Sequence, residues 1–308
     1  ATLTFIALET YQGDSERKYL FKIMGWGAIF FGIFSAIYNL AGYNVALDYR
    51  LLGPLDAAVY LAYYLSPFLI FFTLESIENP QKKSNIISAI ILGILLLATR
   101  SMGAIGASLL IIIFYIFKRS NLTILKYKAT KIALAAATIL LLVVIFYSKI
   151  LPTLKTDYSS LDERGEIWAT SYALLKEPKN LIFGLGPSQF QAHYEKNVDQ
   201  VLGHKPLDYY VLQPHNIFLI FIFNYGILGL IFLLFIILKT IQTLFKIKEK
   251  PDIQELSTLL LSYFLIHGLI DTPFFKNDLL IILLMLLSIS LFSSRLPKPK
   301  APHKDPQP

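Results

Sequence analysis

Two arginines, two histidines and an aspartate have the types and spacing to do chemistry in this chain. Arg164 sits in the run Asp162-Glu163-Arg164-Gly165-Glu166-Ile167-Trp168, and Arg100 sits in Thr99-Arg100-Ser101-Met102. An arginine carries five N–H donors in a planar fork, which suits it to hold a phosphate or carboxylate through paired hydrogen bonds. His215 follows Pro214 and precedes Asn216 and a long apolar run. Proline suits the first turn of a helix, so His215 is expected at a helix N-terminus, where the dipole disfavours imidazolium and leaves a neutral base. Asp208 would pull the other way. His267 and Asp271 stand four residues apart near the end of another apolar run, an ionisable pair of the kind that marks function inside a membrane. The chemistry these residues allow together is anion binding combined with proton abstraction.

Each residue also has a plainer reading. Arg100 can extend to lipid phosphates, and Arg164 can be a surface arginine paired with Glu163 or Glu166. His215 can be an interfacial histidine with no special role, and His267 with Asp271 can be a satisfied structural pair. The four-residue step from Arg164 to Trp168 also lets the guanidinium lie over the indole. His193, His204 and His215 recur every eleven residues, but no HExxH or carboxylate-rich cage accompanies them, so no metal or other cofactor is expected. The absence of cysteine excludes disulfides and thiolate chemistry.

The elements that must position these groups are membrane spans. Of 308 residues, 55% are hydrophobic and 16% charged, and the apolar residues lie in long blocks. Blocks near the ~20 residues that cross a bilayer predict an all-α integral membrane protein. Eight spans are expected: Leu20–Leu40, Leu55–Leu74, Ile86–Ala98, Gly103–Phe117, Lys131–Tyr147, Asn216–Leu238, Leu256–Ile270 and Leu279–Leu291. Asn85–Phe117 is read as two short helices, because one helix of that length would run about 50 Å. Arg100 then falls at their turn, where an anion is expected beside it. The organisation that follows is spans 1–5 in 1–148, a large loop in 149–214, spans 6–8 in 215–294 and a disordered tail in 295–308. Ala1 opens a polar stretch without a signal pattern, which suits a fragment lacking earlier spans.

Within the loop, Ser160 and Glu163 have capping-box spacing and Pro178 marks a helix end, so short helices are expected there. Gly184-Leu185-Gly186 reads as a tight turn, and Gly226 with Gly229 as sites of close helix packing. Orientation follows from the basic residues. Eighteen Lys and Arg fall on the termini and one set of connections, three on the alternate set, and seven in the long loop. Both ends are therefore expected in the cytoplasm and the loop outside. The net charge of +7 is an orientation signal, not a nucleic-acid footprint.

In order, Glu163, Arg164, Trp168, Pro178, Gly184–Gly186, Phe190, His215, Asn216, Phe218, Leu219, Gly226, Gly229 and Leu230 form a pattern that resembles the O-antigen ligase and O-antigen polymerase superfamily. Thr99-Arg100-Ser101-Met102-Gly103 is similar to its S-R-G segment with a methionine before the glycine, and Arg50-Leu51-Leu52-Gly53 to its R-L-x-G element without the following Pro-Asn. The resemblance implies a bacterial inner-membrane glycosyltransferase, inverting and independent of metal, acting on the extracytoplasmic face. Its donor would be a polyprenyl (undecaprenyl) diphosphate-linked glycan and its acceptor a glycan, lipid or protein. It also implies that Arg100 and Arg164 bind the diphosphate and that His215 is catalytic, with Glu163, Trp168, Asn216, His267 and Asp271 as supporting candidates. The rival reading is a transporter or flippase of the same lipid-linked glycans. It accounts for the spans and for Arg100, but not for a polar loop that orders Glu163-Arg164 and Trp168 before His215-Asn216.

Overall fold

The apolar runs form helices in a computed structural model that describes residues 14–44, 46, 49–119, 160–247, 251–273 and 277–292. Among the described residues there are ten helices and no strand. They are α1 (Asp14–Leu40), α2 (Ala58–Glu78), α3 (Lys83–Ala98), α4 (Met102–Arg119), α5 (Ser160–Leu175), α6 (Pro178–Phe183), α7 (Phe190–Leu202), α8 (Ile217–Phe245), α9 (Ile253–His267) and α10 (Asn277–Phe292). Helices occupy seven of the eight expected spans; the fifth, Lys131–Tyr147, and the tail lie outside the described residues. Three helices, Ser15–Leu40, Ala58–Glu78 and Ile217–Phe245, are long and apolar enough to cross a membrane, and α3, α4 and α10 are shorter apolar helices. Phe30, Leu40, Ile94, Leu228 and Ile231 are all exposed, and so many large apolar side chains facing outward suit lipid rather than water. The described residues are thus all-helical, with the apolar helices of an integral membrane protein.

By contact the chain divides into two units, Ala1–Arg100 with Thr243–Leu261 and Lys276–Pro308, and Ser101–Gln242 with Ser262–Phe275. In the first, α1, α2 and α3 pack on one another and α10 packs on α2. The buried face of α2 supplies Leu61, Leu65, Phe68, Phe71 and Phe72. The loop from α1 to α2 is held by two amides. Asn39 Oδ1 accepts from the Leu52 and Gly53 amides at 3.2 and 2.9 Å, and Asn44 Nδ2 donates to the Gly53 and Leu55 carbonyls. The Leu51 amide donates to the Ala98 carbonyl at the end of α3. The Arg50-Leu51-Leu52-Gly53 segment is thus a stitched backbone turn. After α3 the helix breaks at the expected place: Thr99 Oγ1 turns back to the Leu96 carbonyl at 2.6 Å, and Arg100 takes a left-handed φ of 50°.

The second unit holds α4 and the loop helices α5–α7, with most of α8. α5 buries Ile167, Thr170, Ser171 and Leu174, the i, i+3, i+4, i+7 face of a helix. Its two buried hydroxyls bond back to the Glu166 and Ile167 carbonyls, so no polar group is stranded there. α7 contributes Phe190, Tyr194 and Val198 from one stripe, and α8 adds Leu219, Ile222 and Phe223. Phe190 meets Phe223 with ring centroids 5.2 Å apart. Each such side chain contributes about 1.5–3 kcal/mol on burial, which anchors the loop helices to the start of α8. Pro178 begins α6 rather than interrupting α5.

The expected span Asn216–Leu238 is not one uninterrupted helix. At Gly226 the backbone adopts φ 63°, ψ −153°, a region open only to glycine, and a Cβ there would collide with the Ile182 carbonyl oxygen. The break frees the Phe223 carbonyl, which accepts from the Leu185 amide at 2.6 Å and the Gly186 amide at 3.0 Å. The Gly184-Leu185-Gly186 turn, with positive φ at both glycines, therefore supplies the donors that the broken helix lacks. A Cβ on Gly184 would lie 2.6 Å from that same Phe223 oxygen. The two glycine signals in the sequence are halves of one structural device.

Candidate active site

Three segments of the second unit meet around Asp271. α5 brings Arg164, the residues preceding α8 bring His215, and the turn after α9 brings Asp271. Asp271 Oδ1 lies 3.0 Å from His215 Nδ1 and accepts the Thr272 amide at 2.8 Å. Asp271 Oδ2 lies 3.3 Å from Arg164 Nη2. Arg164 is held further by Nε donating to the Ile270 carbonyl at 3.0 Å and Nη1 donating to the Ser160 carbonyl at 2.9 Å. Asp271 is the most enclosed of the three, with 13% of its side chain exposed against 18% for Arg164 and 32% for His215.

The electrostatics fix the protonation pattern. Burial by itself would raise the Asp271 pKa, but the hydrogen bond from His215 and the cationic surroundings, the Arg164 guanidinium among them, bring it down to about 2. An ionised carboxylate only accepts hydrogen bonds, so His215 Nδ1 carries the proton. The lone pair of the neutral ring is then on Nε2, the nitrogen turned away from Asp271. A carboxylate that fixes a tautomer in this way leaves the imidazole ready to accept a proton.

His215 does not stand where the proline suggested. Asn216 is the N-cap of α8: its Oδ1 accepts the Phe218 and Leu219 amides at 2.9 and 3.3 Å, and its Nδ2 donates to the Leu269 carbonyl at 3.0 Å. His215 precedes the cap in a left-handed conformation, φ 50°. Its tautomer is therefore set by Asp271 more than by the helix dipole. The segment is pinned from both sides. Trp168 Nε1 donates to the Pro214 carbonyl at 2.9 Å, Thr272 Oγ1 donates to Gln213 Oε1 at 3.1 Å, and the Ile217 amide donates to the Gly268 carbonyl at 2.6 Å. Trp168 thus positions the histidine segment, and the Arg164 guanidinium is directed at Asp271 and two carbonyls instead of lying over the indole.

His267 and Asp271 are not a side-chain pair. Asp271 turns to His215 and Arg164, while His267 is buried with Nδ1 3.3 Å from the Tyr263 hydroxyl. A Cβ on Gly103 would approach the His267 ring to 3.0 Å, which accounts for glycine at that position. Glu163 is half-buried beside Arg164 without a hydrogen bond to the three central residues, and Asp208 takes the Tyr210 amide at 2.7 Å. His204 lies 4.0 Å from Glu166, and among the described residues no three acidic or histidine side chains gather as a metal site. Arg100 belongs to the first unit, exposed at the turn after α3.

Residues 87–234 match the model of the O-antigen ligase family. That stretch, just under half of the chain, is similar to O-antigen ligases. No curated protein matches the chain. The O-antigen ligase match takes in Arg100, Arg164, Trp168, His215 and Asn216 but ends before His267 and Asp271. The carboxylate that joins the arginine to the histidine therefore comes from beyond the matched O-antigen ligase segment, together with Thr272. Thr272 carried no signal in the sequence, since it lies in no recognisable motif.

Proposed function

We propose that this chain is a membrane glycosyltransferase of O-antigen ligase or polymerase type. It transfers a glycan from a polyprenyl diphosphate carrier to an acceptor hydroxyl on the extracytoplasmic face. What supports the reading above all is Asp271 holding His215 and Arg164 through its two oxygens, within a chain that matches the O-antigen ligase family. His215 Nε2 takes the proton of the acceptor hydroxyl as its oxygen attacks the anomeric carbon. The bond from that carbon to the diphosphate breaks with inversion, and the electron pair leaves on the diphosphate oxygen. Three of the five Arg164 N–H donors are used within the protein, which leaves one on each Nη for phosphate oxygens. Arg100 is the proposed second diphosphate ligand. Cationic donors aimed at the leaving group stabilise its developing charge in the way that Mg²⁺ does elsewhere, so no metal is required.

Purified protein in lipid, given a polyprenyl-diphosphate glycan and an acceptor in EDTA, is expected to release polyprenyl diphosphate and form the glycosylated acceptor. Donor that crosses the bilayer intact, with no diphosphate released, would identify a transporter instead. Arg164→Lys keeps the charge but loses the fork, and the lost charge-assisted bond lowers turnover by about 10–100-fold at unchanged protein level. Turnover close to wild type in this variant would remove Arg164 from the diphosphate site. For orientation, a cysteine placed at the exposed Gln200 is expected to react with an impermeant thiol reagent from outside, and one at Thr123 is not. The opposite labelling would move the site to the cytoplasm.

A further inference from the structure

A cavity of about 320 Å³ lies within the first unit where the start of α1, the end of α2 and the start of α3 meet. Lys18 and Lys22 of α1, Glu75 and Asn79 around the end of α2, and Lys82 and Asn85 at the start of α3 line it. Three lysines face one carboxylate. That carboxylate is already engaged: Asn79 Nδ2 donates to it at 3.2 Å and Lys18 Nζ stands 3.9 Å away, itself donating to the Pro251 carbonyl. Among the described residues Lys22 and Lys82 have no ion-pair partner, and the first turn of α3 contains no acid to offset its positive end. The lining side chains therefore carry more positive than negative charge.

A second observation points to a ligand. Asn85 is 2% exposed, lines the cavity, and its Oδ1 is buried without a hydrogen-bond partner. A buried amide oxygen left bare is destabilising, and a donor entering the cavity would satisfy it. Inorganic phosphate keeps a P–OH donor at neutral pH, so this oxygen alone suits either a free phosphate or a phosphodiester with a hydroxylated headgroup, and the apolar surface beside the cavity decides between them. The face of α1 that carries Lys18 and Lys22 continues at four-residue steps to Trp26 and Phe30, which are 44% and 75% exposed. Lys22 Nζ lies over the Trp26 ring at 5.2 Å, the tryptophan–lysine arrangement of a membrane interface.

We infer that this cavity holds the headgroup of an anionic phospholipid, with the phosphate at Lys22 and Lys82, a headgroup hydroxyl on Asn85 Oδ1, and an acyl chain along Trp26 and Phe30. The site is separate from the proposed glycosyl-transfer chemistry and draws on none of its residues. Basic clusters at the membrane surface select anionic lipid through charge, at about fivefold in affinity for each basic group.

The test is a titration of the purified full chain in neutral detergent with short-chain phosphatidylglycerol or phosphatidylcholine, read by native mass spectrometry and by the rise in Tm. Phosphatidylglycerol is expected to bind at least about tenfold tighter than phosphatidylcholine, and added salt to weaken it. The double variant Lys22→Gln with Lys82→Gln is expected to lose about thirtyfold in phosphatidylglycerol affinity, and Lys22→Arg with Lys82→Arg to keep it. Equal binding of the two lipids by the wild type overturns the inference without recourse to any variant. So does undiminished phosphatidylglycerol binding in the glutamine pair. Displacement of the lipid by equimolar inorganic phosphate would assign the cavity to a soluble anion and also overturn it.

Discussion

His215→Ala is expected to lower turnover by about 10²–10⁴-fold while donor binding survives, because a lost general base removes proton transfer and leaves the arginines in place. The distinction rests on geometry. His215 meets Asp271 through Nδ1, so Nε2 is the only ring nitrogen left for the acceptor hydroxyl. His215→Gln, which keeps a polar group but cannot accept a proton at neutral pH, should fall as far. The Asp271 carboxylate, held at about 2 by its partners, stays ionised across the working range. Because its pKa is lowered from 3.8, the stability it contributes is complete above that value and is lost only as the pH falls toward 2. Equal loss of donor binding and turnover in the alanine variant would make His215 a binding residue. Loss of wild-type activity to a chelator, restored by a divalent ion, would return a metal to the mechanism.

The helices were legible because membrane helices are written in block lengths. Thr99–Met102 had to be a turn since a single helix through it would overshoot the bilayer, and α3 does end at Ala98. The break at Gly226 was not legible, because a lone glycine in an apolar run is compatible with a continuous helix. Its cause lies some forty residues earlier, in the Leu185 and Gly186 amides that satisfy the freed carbonyl. The site was legible in part. The types and order of Arg164, Trp168, His215 and Asn216 pointed to anion binding and a base, and the cluster does unite Arg164 with His215. Asp271 was visible only as a neighbour of His267, since helical spacing is a local signal. Its two partners lie 56 and 107 residues away, a relation that only tertiary structure supplies. The proline before His215 misled for a related reason: Asn216, with a side-chain oxygen able to cap, competes better for the helix start.

Asp271→Asn should lower turnover by about as much as the loss of His215 itself, on the order of 10²–10⁴-fold, although the substitution changes almost no volume. The carboxylate accepts from three donors, His215 Nδ1, the Thr272 amide and Arg164 Nη2. An asparagine has one acceptor oxygen and one donor nitrogen. If the oxygen faces His215 and Thr272, the amide nitrogen confronts the Arg164 guanidinium, donor against donor. If it is reversed, the NH₂ faces His215 Nδ1 and the Thr272 amide, and the imidazole must place its proton on Nε2, where the base is needed. Either orientation costs the site the base tautomer or the seat of the arginine. Asp271 acts only through these two neighbours, so its effect should not add in full to theirs: placed on His215→Ala, Asp271→Asn should cost only what the seat of Arg164 contributes, much less than it costs in the wild type. A positioning role also predicts that KM for the acceptor changes little while kcat falls. A variant that kept near wild-type kcat, or a double variant in which the two losses multiplied, would separate Asp271 from His215 and leave it as an anchor for Arg164 alone.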